Sequence, residues 1–268
     1  MTNKDARDAA AGLRLSGLRA GYPGREVLRG VSLTLARGEV LAVVGANGCG
    51  KSTLLRCVAG LIQPSGGEVW LDGEPLSSLS PAARARRLAL LPQQPTAPEG
   101  LTVAQLVAYG RRPHQGLWRR WSAADEAVLA QALRDCDLWE LAQQRLDRLS
   151  GGQRQRAWLA MVLAQQTPWL LLDEPTSALD LGHQNELLGL ARRLAREGRG
   201  VLMVLHDLGA AARYADRLLA LRGGETLALG APREVVTPEL VWQLYGLRAQ
   251  VLRAPGDGAP LVVPELAS

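Results

Sequence analysis

Apolar and polar positions alternate with period two at the start of the chain. LRLSGLRAGY (13–22) and EVLRGVSLTLARG (26–38) both follow that rhythm, which predicts two strands with one covered face each. EVLAVVG (39–45) is apolar without interruption, as expected of a strand covered on both sides. KSTLLRCVAGL (51–61) then predicts a helix, and EVWLDG (68–73) a strand ended by a turn. Ser80 before Pro81 has the form of an N-cap followed by proline at the first helical position. RLALLPQQ (87–94) predicts a strand that runs into a loop.

From 95 to 149 the rhythm changes. A proline-rich link, PTAPEG, leads into a stretch that reads helical throughout. Thr102 with Gln105 and Ser122 with Asp125 have the spacing of capping boxes, and Val128, Leu129, Ala132, Leu133 and Cys136 mark one helix face. This segment is expected to be a helical lobe set into a strand-rich body. The body resumes with WLLLDE (169–174), a helix over 182–197, the strand GVLMVLHD (200–207) and a short helix. DRLLALRGGETLALG (216–230) predicts two strands joined by a turn at Arg222-Gly223-Gly224, and PELVWQLYGL a last helix. Strands alternating with helices predict an α/β fold with a mostly parallel sheet. Residues 1–12 are expected to be a flexible tail, and 248–268, rich in proline and glycine, is left as a second tail.

Composition narrows the classes. The chain has 268 residues, 47% hydrophobic and 21% charged, which suits a globular protein with a large core. No apolar run approaches the roughly 18–20 residues that span a bilayer, and the amino terminus has no apolar signal segment. The cysteines, Cys49, Cys57 and Cys136, are odd in number and lack metal-ligand spacing, which points to a reduced cytoplasmic setting. A net charge of +5 is mild, and with aromatics at 4% and no zinc spacing a nucleic-acid partner is not expected. The basic residues are nearly all arginine; the two lysines are Lys4 and Lys51. An interior lysine in such a chain calls for a reason.

Lys51 finds it in GANGCGKS (45–52), which fits G-x-x-x-x-G-K-[ST] between a predicted strand and a predicted helix. Gly45, Ala46, Asn47, Gly48, Cys49 and Gly50 would bring backbone N–H groups to phosphate oxygens, and Thr53 continues into the helix. The compact ammonium of Lys51 suits the space between β- and γ-phosphates better than a planar guanidinium. The hydroxyl of Ser52 would ligate Mg²⁺. Cys49, beside a lysine and a helix start, is expected to have a lowered thiol pKa. Asp173, ending the apolar strand WLLLD, is placed to hold the metal through water, and Glu174 beside it to act as general base. His206 ends another apolar strand and could contact a γ-phosphate. One further motif stands apart: LSGGQ (149–153) puts Ser150 and Gln153 at capping-box spacing, with Gly151 and Gly152 in the first turn. Two glycines cost helix stability there, and bare N–H groups at a helix start bind anions.

Together these motifs resemble the ATP-binding cassette (ABC) ATPases over residues 13–245. The resemblance implies a P-loop NTPase core with an antiparallel β lobe and an inserted α-helical subdomain, the cassette spanning 13–247. It implies ATP with Mg²⁺, Tyr22 stacking on adenine, and a Q-loop glutamine at Gln93 or its neighbour Gln94 that touches the metal and faces the helical lobe. Ser177 to Asp180 becomes the D-loop and His206 the switch histidine. In this family two cassettes pair head to tail, so the anion expected at LSGGQ would be the γ-phosphate held by a second copy. Over 86–247, RRLALLPQ, PEGLTVAQLVAYGRRPH and ALDLGHQ resemble the ATPases of bacterial importers for ferric siderophores, cobalamin and haem, and most of all the ferric dicitrate group. That implies an energy-coupling subunit at the cytoplasmic face of the inner membrane, bound to two membrane-spanning permease subunits and served by a substrate-binding protein. Arg111, Arg112, Arg119 and Arg120 are candidates to face lipid headgroups or plain solvent. A soluble cassette ATPase, acting on nucleic acid or as an iron–sulfur scaffold, is the competing reading.

Overall fold

The computed structural model describes residues 12–115, 121–177 and 179–265. The expected amino-terminal tail lies outside them except for Gly12, and so do Arg119 and Arg120. Strands β1 (Gly12–Tyr22) and β2 (Arg25–Ala36) pair antiparallel, as their alternation predicts, and β4 (Gly66–Leu71) with the short β5 (Glu74–Pro75) completes a four-stranded lobe in the order β2-β1-β4-β5. The central sheet has six strands in the order β10-β9-β3-β8-β7-β6. Of these, β3 (Val40–Val44), β6 (Leu88–Leu91), β7 (Trp169–Asp173), β8 (Gly200–Val204) and β9 (Arg217–Arg222) run parallel, while β10 (Glu225–Gly230) closes the edge antiparallel to β9.

The unbroken apolar run of β3 is explained by two cores. Leu41 and Val43 point into the core shared with the antiparallel lobe and helix α1 (Lys51–Val58). Val40, Ala42 and Val44 point into the opposite core, against the longer helices. Trp169, fully buried at the start of β7, donates its indole N–H to Asp72 of the antiparallel lobe at 3.2 Å. Its ring lies where a Cβ on Gly200 would fall, at 2.0 Å, so the neighbouring strand can carry no side chain there.

After α2 (Pro81–Arg87) and β6, the chain leaves the sheet to build the helical lobe. The expectation of a helical lobe over 95–149 holds for its capped helices, but the segment is not helical throughout. The lobe has α3 (Val103–Tyr109) and α4 (Ala123–Asp135), with single 3₁₀ turns at 112–114, 139–141 and 146–148. The breaks have local causes: Pro113 cannot continue a helix, and Asp137 takes φ 51°. Both capping boxes form, at Thr102 and at Ser122. The lobe also includes α5 (Gly151–Ala164), which packs on α3 and α4.

Arg111 is not at a lipid- or water-facing surface. It is 5% exposed and bonded through Nε to Asp125 at 2.9 Å and through Nη1 to the carbonyl of Ala164 at 2.8 Å. Arg112 next to it is exposed and lies over the Tyr109 ring at 5.1 Å.

The body returns through α6 (Leu181–Arg196), α7 (Leu208–Tyr214), α8 (Pro232–Val235) and α9 (Pro238–Tyr245). The segment left as a tail is ordered structure: β11 (Ala249–Arg253) and β12 (Pro260–Pro264) form a hairpin docked on α7 and α9. An isolated two-stranded hairpin is marginal in water, and packing against those helices supplies what its short strands lack.

Candidate active site

The loop after β3 turns at Gly45, where φ is 151° and an added Cβ would lie 2.3 Å from the carbonyl oxygen of Leu221. It ends at Gly50, which takes φ 112° as N-cap of α1 and offers no side-chain cap, so the first N–H groups of that helix are left to a ligand. Lys51 is 5% exposed, and its ammonium donates to the carbonyls of Gly45 at 2.8 Å and Ala46 at 3.1 Å. Two turns of geometry thus place a buried cation across the mouth of a loop of backbone donors.

Ser52, one residue on, donates its hydroxyl to Asp173 Oδ1 at 3.1 Å. Asp173 ends β7 at 3% exposure, and burial raises its pKa against the opposing hydrogen bond from Ser52. A hydroxyl and a buried carboxylate are hard oxygen donors of the kind Mg²⁺ takes, and the charge that burial disfavours is one a divalent ion would offset. Among the described residues no three His, Cys, Asp or Glu side chains cluster to hold a metal alone. The two protein oxygens, the Ser52 hydroxyl and the Asp173 carboxylate, fit an ion that keeps several of its waters, as Mg²⁺ does.

Glu174 turns away from β7 with φ 52°, a left-handed conformation in a residue with a side chain, held by its N–H to the carbonyl of Val204 at 3.2 Å. Such strain costs on the order of 1–3 kcal/mol and collects at working sites. The twist aims the carboxylate between two partners. Gln93 Nε2 donates to Oε2 at 2.5 Å, and His206 Nε2 lies 2.6 Å from Oε1. A cavity of about 400 Å³ opens beside them, lined by Asn47, Lys51, Ser52, Gln93, Glu174 and His206, with Tyr22 at its edge. Gln93 lines it, and Gln94 is not among its lining residues. Tyr22 is 45% exposed, and its hydroxyl accepts from Arg56 at 3.0 Å.

Cys49 departs from expectation. The residue is 7% exposed and its thiol packs behind Gly45, where an added Cβ would lie 2.8 Å from Sγ. Burial raises its pKa, and the nearby Lys51 charge opposes that only in part. The sequence shows the lysine and the helix start; it does not show that the side chain points inward.

The LSGGQ helix is separate from this cavity. Ser150 caps α5, its Oγ accepting from the N–H of Gln153 at 3.2 Å while Gln153 Oε1 accepts from the N–H of Ser150 at 3.0 Å. Gly151, Gly152 and Gln153 line a second hollow with Leu179, Asp180 and His183. Asp180 caps α6 through the N–H of His183 at 2.9 Å, and that bond with the His183 ring holds its carboxyl below the usual range. Ser177 donates its N–H to the backbone carbonyl of Glu174 at 3.3 Å.

A phosphate loop, a strand-end carboxylate pair, a strand-end histidine and a glycine-paired helix start now stand in one fold. The family model for ABC transporters matches residues 28–177. This chain belongs to that family. It is 48% identical over 258 residues to the ferric enterobactin transport ATP-binding protein FepC of Escherichia coli (strain K12), covering 96% of this chain and 95% of that one. It is 48% identical over 244 residues to the hemin import ATP-binding protein HmuV of Nocardia farcinica (strain IFM 10152), covering 90% and 83%. Among solved structures, a transporter described as metal-chelate type, in an inward-facing conformation, superposes with TM-score 0.82 at 29% identity, covering 95% and 98%. The cassette MJ0796, solved as a dimer after hydrolysis with ADP and Pi, superposes with TM-score 0.74 at 27% identity, covering 82% and 98%. The ABC chain described here is an ATPase with the cassette fold, and ATP is its nucleotide. No helix among its described residues is long and apolar enough to cross a membrane.

Proposed function

We propose that the chain is the energy-coupling subunit of a bacterial importer for iron(III) chelated by a siderophore. Glu174 is the observation that carries the chemistry: one buried carboxylate between Gln93 and His206, facing the cavity that Lys51 enters. In this reading Glu174 takes a proton from the attacking water as general base. His206 contacts the γ-phosphate, Lys51 sits between β- and γ-phosphates, and the N–H groups from Gly45 to Thr53 receive the phosphate oxygens. Tyr22, exposed and lining the same cavity, would stack on adenine. Ser52, Gln93 and, through water, Asp173 would hold Mg²⁺, which supplies charge neutralisation at the phosphates when bound.

The separation of LSGGQ from this cavity supports a two-chain site, in which Ser150, Gly151, Gly152 and Gln153 meet the nucleotide of a second copy. The D-loop would link the two sites, since Ser177 bonds the Glu174 carbonyl and Asp180 lines the LSGGQ hollow. ATP then acts as glue, and its hydrolysis releases the pair. That difference between nucleotide states would move two membrane-spanning permease subunits, fed by a substrate-binding protein, from the cytoplasmic side of the cell membrane. The names of the relatives, ferric enterobactin transport and hemin import, support cargo that carries iron. No nucleic acid takes part.

The test is uptake in a strain lacking the gene, complemented with the wild-type chain or with Glu174→Gln. Iron is supplied as a catecholate siderophore, as the citrate complex and as haem. The expected result is uptake of an iron(III) siderophore with the wild type and none with Glu174→Gln. Uptake of haem alone would reassign the cargo. Uptake of none of the three, with ATPase activity intact, would overturn the importer reading.

A further inference from the structure

Residues 242–263 hold six of the twelve large apolar side chains that stand exposed among the described residues. Three belong to the C-terminal hairpin: Leu252 at 48%, Leu261 at 45% and Val263 at 39% exposure. Register explains their grouping. Leu252 pairs with Leu261 and Gln250 with Val263, while Val251 pairs with Val262 on the other face. The Val251–Val262 face packs into the protein. The Leu252–Leu261 face is apolar too, yet it is turned to solvent, where an antiparallel pair ordinarily carries polar residues.

The location gives this patch its meaning. A cavity of about 510 Å³ lies between the hairpin and helices α6, α7 and α9. Leu181, Tyr245, Leu247 and Leu261 line its apolar side, and His206 and Asp207 lie at its other end. Leu181 is 78% exposed and directly follows Asp180. The apolar surface therefore continues from the D-loop and the switch histidine out to the hairpin. Both of those elements belong to the face that the proposed function sets against a second cassette.

We propose that the outer face of the hairpin, with the rim at Leu181, Tyr245 and Leu247, is a further contact between two copies of this chain. The inference rests on the two-chain reading of LSGGQ and extends that interface beyond the nucleotide sites. A two-fold pair uses the same patch on both copies, and an apolar patch beside a shared site is suited to that use. The hairpin is also fastened to the cassette. Arg213 of α7 binds Asp257 in the hairpin turn at 2.8 Å, and the Arg233 guanidinium donates to the Asp257 carbonyl. Contact made by the hairpin thus bears on α7, whose N-cap Asp207 directly follows His206.

The test takes the full chain with Glu174→Gln, so that bound ATP persists, and measures self-association with Mg-ATP by sedimentation velocity. Leu252→Lys with Leu261→Glu is added; the opposite charges face each other across the strands and preserve the pairing. The double change is expected to weaken the ATP-dependent dimer about tenfold or more, with ATP affinity of the monomer unchanged. Amide exchange over 249–264 in the Glu174→Gln parent is expected to slow when ATP is added. An unchanged dimer constant overturns the proposal, and so does unchanged exchange in the parent, which decides the matter if the altered hairpin unfolds. Loss of binding to phosphatidylglycerol vesicles with an unchanged dimer would assign the face to lipid and overturn it as well. A parent that stays monomeric with ATP would instead sink the two-chain reading beneath it.

Discussion

Glu174 holds a strained backbone and two hydrogen-bonded partners at one position. Replacing its carboxylate by an amide keeps the shape and removes the base, so Glu174→Gln should bind ATP normally and hydrolyse it roughly 10²–10⁴-fold more slowly. Turnover and nucleotide titration on the same protein check this; native turnover would reject Glu174 as the base. Cys49 offers the opposite lesson. With its thiol buried and its pKa raised, it should resist alkylation in the folded chain despite the lysine nearby. At neutral pH, maleimide should label Cys49 at least about tenfold faster after unfolding than before, read by mass spectrometry. Equal rates would mean that the loop opens freely.

At the scale of elements, the helical lobe encloses the buried ion pair of Arg111 and Asp125. Asp125 Oδ2 accepts from the Ser122 hydroxyl at 2.7 Å and Oδ1 from Arg111 at 2.9 Å. Those bonds, Ser122 first, bring the Asp125 pKa down to about 2. A carboxylate with a lowered folded pKa stabilises above its unfolded pKa of about 3.9, and the contribution is lost as pH falls from there towards 2. Asp125→Ala would strand the Arg111 charge inside the lobe and should cost about 3–5 kcal/mol near pH 7. Urea unfolding at pH 7 and at pH 3 should show that penalty shrinking at the lower pH. A second element test is Gly200→Ala, where the new methyl meets the Trp169 ring at 2.0 Å. With Trp169 also bonded to Asp72, the ring has little room to move, and the change should destabilise by about 1–3 kcal/mol in the same assay.

For the molecule as a whole, the proposed pairing gives each chain half of two sites. The cradle with Lys51 and Glu174 and the capped helix at Ser150 open into different hollows. In the Glu174→Gln background, Ser150→Arg should leave ATP binding by the monomer intact and abolish the ATP-dependent dimer. Gel filtration and nucleotide titration separate the two effects. Loss of ATP binding by the monomer would put Ser150 in its own chain's site and end the two-chain account.

Much of this was legible in one dimension because the signals are local. Alternation predicted β1 and β2, an unbroken apolar run predicted β3, and capping spacing placed the starts of α3, α4 and α5 within a residue. The phosphate loop was legible because its donors are backbone groups of consecutive residues, 45–53. Side-chain direction was not. Nothing in the sequence aimed Gln93 at Glu174, turned the Cys49 thiol behind its loop, or drew Arg111 inside to Asp125; the Glu174 and Asp125 partners lie 81 and 14 residues away in the chain. The hairpin at 249–264 escaped notice for the same reason: its strands are too short to signal alone and form because α7 and α9 are there to receive them. Local pattern determined which elements form and where backbone N–H groups would gather. Only tertiary structure decided which side chains meet, because burial and charge pairing are properties of neighbours brought together by the fold.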